Sequence, residues 1–600
     1  MKSSWVIGPG TLLAVVCWWG VFLEVGRTQS MIPAVDGTGT QVTPDGDRFD
    51  IHGGSPSSDG SNLFHSFERF GLEPGQTANF LANPDIQNIF TRVVGGNPSL
   101  IQGLLQVSGS HSNLYLINPA GILFGPTAQL NLTGSFFATT ANSLGFNSGA
   151  SFEVLGAAAY ANLTGSPNQF DFTQSQGGSL VNAGDLTVGF GENITLMGGT
   201  VLNTGTLTAP GGNITIASVP GPHRVRLSQE GMLLSLEFQA IAPSTETGIS
   251  PLQLPQLLTQ GNLTQGHARG AVVNPDGTIT LTGSNLSLSP DPGTTLVSGE
   301  ISVADGGQTG GTVTILGDKI GAIASTIDAS GANGGGEVYL GGDFQGGSRL
   351  PTADRTLISP DSTIRVDALS TGNGGRAIVW SDRVTGFYGN ISAQGGSNPL
   401  ASSQNGGFVE VSGQEHLIFE GVVDVSATHG SSGTLLLDPL NIIISNGEDD
   451  PSNVVDLLPN ILSGDADQFA EETITISAET LQNQTGNIIL EATNNIEIAN
   501  NVSLEFVLGE PIVFRADADN EGTGAFVMNP SSQIRAEARD IDIFGANITV
   551  TTIDTSAEGN GGKISLTSSD GNIQVRELIS QSTGSGTGGD ITVNAGGTGA

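Results

Sequence analysis

Cysteine is all but absent: the single thiol in 600 residues is Cys17, inside an N-terminal segment that reads as cleaved. The remaining chain has no disulfides, which excludes thiol catalysis and zinc–thiolate sites. Basic residues are scarce as well, with 19 Lys and Arg against 57 Asp and Glu and a formal charge of −38. A polyanion of this size is repelled by phosphate backbones and anionic lipid, so no nucleic-acid or membrane-surface partner is expected, while divalent cations remain open. Charged residues of either sign make up only 13% of the chain, whereas Gly numbers 88. Because Gly destabilises a helix interior by about 1 kcal/mol, long helices are disfavoured and an all-β chain is predicted. Catalytic constellations are missing too. The seven histidines form no His-Glu-x-x-His, no Gly-x-Ser-x-Gly occurs, and Gly562-Lys563 is followed by Ile564 where a phosphate loop needs Ser or Thr. Neither a cofactor nor an enzymatic activity is expected.

Long apolar runs are confined to one place. Lys2 precedes Leu12 to Val25, and Thr28 and Ser30 lie at the minus-three and minus-one positions of a cut before Met31. This pattern predicts a secretory signal peptide at residues 1–30, with an uncleaved membrane anchor as the alternative; the run is shorter than the roughly 20 apolar residues of a spanning helix, which favours cleavage. No later segment could span a bilayer. Export of the mature chain follows.

What the mature chain has in quantity is short alternating strands. Gly184–Val188, Asn193–Leu196, Gly205–Thr208 and Asn213–Ile216 alternate apolar and polar residues between Gly or Asn turns. Each is too short to bury a core alone, so successive coils must stack. A Gly-Gly pair followed by a strand recurs at Gly310, Gly335, Gly374, Gly406, Gly561 and Gly588; Gly is expected to supply a positive-φ corner there. Phe64, Phe67, Phe70, Phe80 and Phe90 concentrate near the N-terminus, as a cap over the first coil requires. Residues 218–274 break the rhythm: His223 to Phe238 reads as a hairpin, followed by a Pro-rich loop. Its basic group, His223, Arg224 and Arg226, is expected to pair with nearby carboxylates, with transporter contact as the alternative.

The stretch Asn113 to Ala128 carries the most specific pattern. Two apolar runs flank Asn118-Pro119-Ala120-Gly121, a strand, a type I turn and a strand. With His65-Ser66-Phe67, Asn88-Ile89-Phe90-Thr91-Arg92-Val93, Gly95-Gly96 and Gly134-Ser135-Phe136, this order of blocks resembles the secretion domain of the filamentous haemagglutinin family, the exoproteins of two-partner secretion in diderm bacteria. The family's Asn-Pro-Asn-Gly-Ile motif falls on Asn118, Pro119, Gly121 and Ile122, with Ala120 in place of the second Asn. An earlier motif, Asn-Pro-Asn-Leu, corresponds to Asn83 and Pro84, followed here by Asp85 and Ile86.

The resemblance implies a right-handed parallel β-helix, a solenoid with an N-terminal cap, read by the periplasmic domains of an outer-membrane transporter. It also implies export through the periplasm to the outside or the cell surface, and adhesion to an unidentified host or cell-surface receptor. The expected organisation is a signal peptide at 1–30, a two-partner secretion domain at 31–150 and continuing coils at 151–217. There follow an extra-helical hairpin and loop at 218–274, a Gly-Gly repeat β-helix at 275–445, an acidic irregular segment at 446–472 with a short helix around Val454 to Leu462, and further repeats at 473–600 that continue beyond 600.

Two other functions deserve weighing. A polysaccharide-cleaving β-helix would need carboxylates and basic groups in one groove, and Lys319, Arg349, Arg355, Arg365, Arg376 and Arg383 are the densest basic set. The chain could also be the secretion and stalk portion of a larger effector. One calcium candidate exists: Asp517, Asp519 and Glu521 occupy positions 1, 3 and 5 of a loop with Gly522 at 6, yet Met528 stands at 12, which favours a solvated acidic turn.

Overall fold

The computed structural model describes residues 31–230, 233–243, 250–259, 270–289, 291–401, 404–447, 461–462 and 475–596. The expected signal peptide and most of the acidic segment, including all but the last two residues of its expected helix, lie outside these.

The described chain winds into a stack of β-coils with parallel faces. Each coil contributes one strand to each face in turn, as in Asn113–Ile117, Ile122–Phe124 and Gln129–Asn131. The first face runs the length of the stack, from Asn62–Phe70 to Ile591–Ala595. The second has nine strands and ends at His416–Phe419; the third has twelve and ends at Val422–Asp424. Beyond Thr434–Leu437 the first face continues, but one eight-stranded sheet replaces the other two, and within it Asn547–Asp554 pairs with both Ala525–Met528 and Gln533–Ala536.

Pairing is in register, so equivalent residues stack. Leu114 lies between Ile89 and Phe136, and Ile214 between Ile194 and Val313. Since successive side chains alternate in direction, Leu114 and Leu116 enter the bore while Tyr115 and Ile117 point outward into a separate apolar cluster. A cap closes the N-terminal end: Met31–Pro33 and Ser55–Pro56 run antiparallel to Asn62–Phe70, and Thr40–Asp45 pairs with Arg48–Gly53 as a hairpin.

Two expectations about boundaries need correction. Residues 151–217 are not all coil. Ser143–Phe146, Ser151–Glu153 and Pro167–Phe172 leave the stack and join the hairpin His223–Glu230 and Leu233–Ala240 in a five-stranded antiparallel sheet. The second insertion does not end at 274 either, and its arm is more than a loop. Leu254–Thr259 is helical, and Ala271–Val273, Ile279–Leu281 and Leu286–Leu288 form an antiparallel sheet against the second face. In both cases the outward row of the coils is apolar and needs a cover. Strands of a cover and strands of a coil share the same two-residue alternation, which conceals the switch in sequence.

The Gly-Gly pairs also act differently from expectation. None of those six pairs has positive φ. Instead the second glycines stack, Gly311 on Gly212, Gly336 on Gly311, Gly375 on Gly336 and Gly407 on Gly375. A Cβ on each would fall inside the van der Waals surface of the preceding glycine's carbonyl oxygen. That oxygen accepts the next rung's bond, as in Arg376 N–H to Gly336 O at 2.9 Å and Phe408 N–H to Gly375 O at 2.9 Å. Close approach, rather than handedness of the backbone, is what demands glycine.

Gly375→Ala should therefore destabilise the chain by about 1–3 kcal/mol through overpacking, whereas Gly306→Ala, where an added Cβ meets nothing within 4 Å, should change stability by less than about 0.5 kcal/mol. Urea midpoints of the two variants check this; equal shifts would refute the steric account.

Candidate functional site

The turn after Asn113–Ile117 joins the first face to the second and is enclosed. Every residue from Leu114 to Phe124 is buried. Asn118 organises it: its backbone oxygen accepts Gly121 N–H at 3.1 Å, and its Oδ1 accepts Ala120 N–H at 3.0 Å. Its Nδ2 donates to Asn97 O at 2.9 Å and Ser99 Oγ at 3.0 Å. Gly121 has φ of 128°, a value that favours glycine. Above the turn Ala120 O accepts Leu252 N–H at 3.0 Å, and Leu257 of the short helix lies against Gly121. The insertion thus seals Asn118, Pro119, Gly121 and Ile122 beneath it.

Asn83 and Pro84 make the same turn in a different setting. Asn83 O accepts Ile86 N–H at 3.1 Å and its Oδ1 accepts Asp85 N–H at 2.9 Å, but Asn83, Pro84 and Asp85 are exposed. The two motifs are therefore one structural device, once buried and once presented to solvent.

Several residues around these turns escaped the sequence-based reading. Asn88 Nδ2 donates to Asn62 Oδ1 at 2.9 Å and Asn113 Nδ2 to Asn88 Oδ1 at 3.0 Å, an amide ladder at the start of the first face that is buried at Asn62 and Asn88 and half-buried at Asn113. Two residues further along, Phe64, Phe90, Tyr115 and Phe137 stack with centroids 5.0, 4.5 and 4.3 Å apart. The signal was present: Asn62, Asn88 and Asn113 are each followed by an aliphatic and then an aromatic residue.

Arg92, nearly wholly buried, ties cap to cover. It pairs with Asp36 at 2.9 Å, donates to Ser66 Oγ at 3.1 Å and reaches Glu153 O and Gly156 O at 3.0 and 2.8 Å, while its guanidinium lies over the Phe152 ring. Burial opposes the charge of Asp36, but hydrogen bonds from Ser66, Thr38 and Arg92 outweigh it and hold the carboxyl at about 2. Beside it His65 points into the bore against Phe80, with both ring nitrogens unpartnered. Burial, and secondarily the nearby His52, lower its pKa to about 4.

The remaining candidates are dispersed or already engaged. Asp517 Oδ1 accepts N–H groups from Gly522, Thr523 and Gly524 at 3.0, 3.1 and 3.3 Å. This carboxylate orders its own turn, while Asp519 and Glu521 are exposed. Among the described residues no group of three or more His, Cys, Asp or Glu is placed to hold a metal ion. Arg224 pairs with Asp171 at 2.7 Å, but Arg226 makes no such pair. Lys319 and Arg355 lie on the second face, Arg376 on the first and Arg365 on the third. They do not gather in one groove: Lys319 and Arg355 are neighbours on the second face, where Arg355 and Arg383 share Asp354, while Arg349 and Arg376 lie by Asp343 and Arg365 stands apart on the third. No helix among the described residues is long and apolar enough to cross a membrane.

The described residues thus form a capped parallel β-stack whose Asn118 turn is sealed under an extra-helical cover. Residues 31–274 match the family described as the TPS secretion domain. The chain thus carries, over those residues, a secretion domain of the two-partner type. Among solved structures it is similar to the HMW1 secretion domain from Haemophilus influenzae, at 25% identity over 66% of this chain and 97% of that one, with a TM-score of 0.37. It is also similar to the filamentous hemagglutinin secretion domain, at 14% identity over 68% of this chain and 100% of that one, with a TM-score of 0.30. None of the curated proteins matches.

The depressed pKa of His65 has a definite sign. The unfolded chain binds the proton more readily, so the stability gained by keeping His65 neutral is complete above its ordinary value of 6.5 and falls as pH drops toward 4. The loss amounts to roughly 3 kcal/mol. Asp36 adds a second loss, from its ordinary value of 3.8 down toward 2. Between pH 7 and pH 4 the urea midpoint of the native chain should fall relative to that of His65→Leu, a difference that separates His65 from Glu410 and Asp438, whose carboxyls burial raises to about 8 and about 6 and which act in the opposite direction; parallel profiles would remove His65 as the cause.

Proposed function

We propose that the domain at 31–274 is read by the periplasmic domains of an outer-membrane β-barrel transporter, and that the coils beyond it act outside the cell in adhesion. The chain belongs, on this proposal, at the surface of a diderm bacterium or in its surroundings, reached through the periplasm. The observation that carries the proposal is the TPS secretion domain at the head of a continuous stack. A long in-register stack places distant coils on one rod, which suits a surface extension.

Burial divides the transporter-recognition candidates. A partner meeting the folded domain reaches Asn83 and Pro84, whereas Asn118, Pro119, Gly121 and Ile122 are accessible only to a partner that meets the chain before it folds. In the folded domain Asn118 serves stability. Its replacement by Ala breaks two side-chain donations and leaves Ser99 and Asn97 short of a donor.

Co-expressed with its transporter, a chain lacking residues 32–146 should reach the periplasm but not the exterior; external appearance of that truncation would refute the transport role. Asn118→Ala should lower the folding stability of the secreted chain by about 1–3 kcal/mol. Asn83→Ala, at an exposed turn, should leave the urea midpoint nearly unchanged and reduce the amount secreted. Unchanged secretion of Asn83→Ala would remove that turn from the recognised surface.

A further inference from the structure

Between the outer side of the first face and the extra-helical sheet runs a groove of about 820 Å³, within the size range of ligand sites. We propose that it binds an uncharged oligosaccharide. The site straddles the junction of the secretion domain and the stalk, and goes beyond both the transport role and adhesion as such.

The floor of the groove is a single row of outward residues on consecutive rungs. Phe137 is in register with Thr195, Thr195 with Thr215, Thr215 with Thr314 and Thr314 with Tyr339. Four steps at the spacing of paired strands span about 19 Å, the length of a short saccharide chain. An aromatic ring therefore closes each end of a threonine track. Phe137 is the last ring of the stack that begins at Phe64, and its next neighbour is the smaller Thr195, so the outer part of its ring stands free above the track.

The hydroxyls of that track are uncommitted. Among the described residues nothing hydrogen-bonds to the side chains of Thr195, Thr215 or Thr314, and none of these hydroxyls is a sealed buried atom. On the neighbouring row Asn213 donates its NH₂ group to Asn193 Oδ1 at 2.9 Å and keeps its own Oδ1 for another partner. The facing wall adds Asn168 and Gln169, whose NH₂ groups donate to Asn147 Oδ1 at 2.6 Å and Asp171 Oδ2 at 3.3 Å and whose own amide oxygens have no donor among the described residues. Hydroxyls both donate and accept, and amides offer one of each. A ligand that satisfies such a surface must itself carry many groups able to do both, together with an apolar C–H face for the part-exposed ring of Phe137.

Charge separates this ligand from the alternatives. Arg349 is held by Asp343, and Tyr339 donates to Glu337 at 3.0 Å. Arg226 and Glu237 face each other across the hairpin with opposite signs. The groove thus offers neither an anion nor a cation a net attraction. A peptide fares no better, because the floor is the face of a sheet, whose backbone groups already bond along the stack, and not an edge that could pair with another strand.

Isothermal titration of the purified full chain with cellohexaose, laminarihexaose, mannohexaose and chitohexaose, beside a sulfated heparin hexasaccharide, tests the proposal. At least one neutral hexasaccharide should bind with a Kd of about 1 mM or tighter, with affinity independent of salt. Thr215→Val combined with Thr314→Val should weaken it about tenfold without moving the urea midpoint. Asn168→Ala, on the opposite wall and outside the stack, should weaken it as well and guards against a folding defect in the first variant. Absence of binding by all four neutral sugars, binding of the sulfated sugar alone, or affinity unchanged in both variants would overturn the proposal.

Discussion

The in-register parallel ladder of the first face is the constraint on which everything else rests. Each coil must present its strand one rung from the last, so a residue that suits one coil is placed against its equivalents above and below. Three columns follow from this alone: the linked amides Asn62, Asn88 and Asn113, the rings from Phe64 to Phe137, and the glycines from Gly212 to Gly407. Each uses the short axial repeat in its own way. Amides satisfy one another along the column, rings stack face to face, and glycines leave room for a carbonyl where any side chain would collide.

A ladder that repeats its outward row as faithfully as its inward row creates a second problem. Outward Phe90, Tyr115, Ile117 and Met197 would face water, as would Leu123, Val181 and Leu202 on the second face. Both rows are covered by excursions from the chain, an antiparallel sheet on one side and a helix with a three-stranded sheet on the other. The described part of the acidic segment joins the second cover, with Ile461 and Leu462 packed near Gly386 and Gly321. Arg92 then binds cap and cover into one unit, since its five donors serve a carboxylate, a hydroxyl and two carbonyls drawn from both. Where the cover stands off from the threonine track, the space left is the groove.

The same covering decides how the secretion motif is displayed. Asn118 and Asn83 cap identical turns, and their side-chain chemistry does not distinguish them. Leu252 and Leu257, which arrive more than a hundred residues later in the chain, enclose the first and leave the second open.

Sequence by itself determined the all-β class, the stacking of short alternating strands and the secretion-domain blocks, because two-residue alternation and turn residues act locally and leave a local record. It also placed Gly-Gly before each strand of the repeat, though not for the reason expected: the pairs lack positive φ, and the demand for glycine comes from the neighbouring coil. Only the tertiary structure decided which alternating strands belong to coils and which to covers, since Ser143–Phe172 and Ala271–Leu288 carry the same periodicity as the stack they leave. The burial of Asn118, the unpartnered ring of His65 and the row from Phe137 to Tyr339 were equally hidden. Each depends on residues brought together by register across coils of unequal length, a distance that no local pattern records.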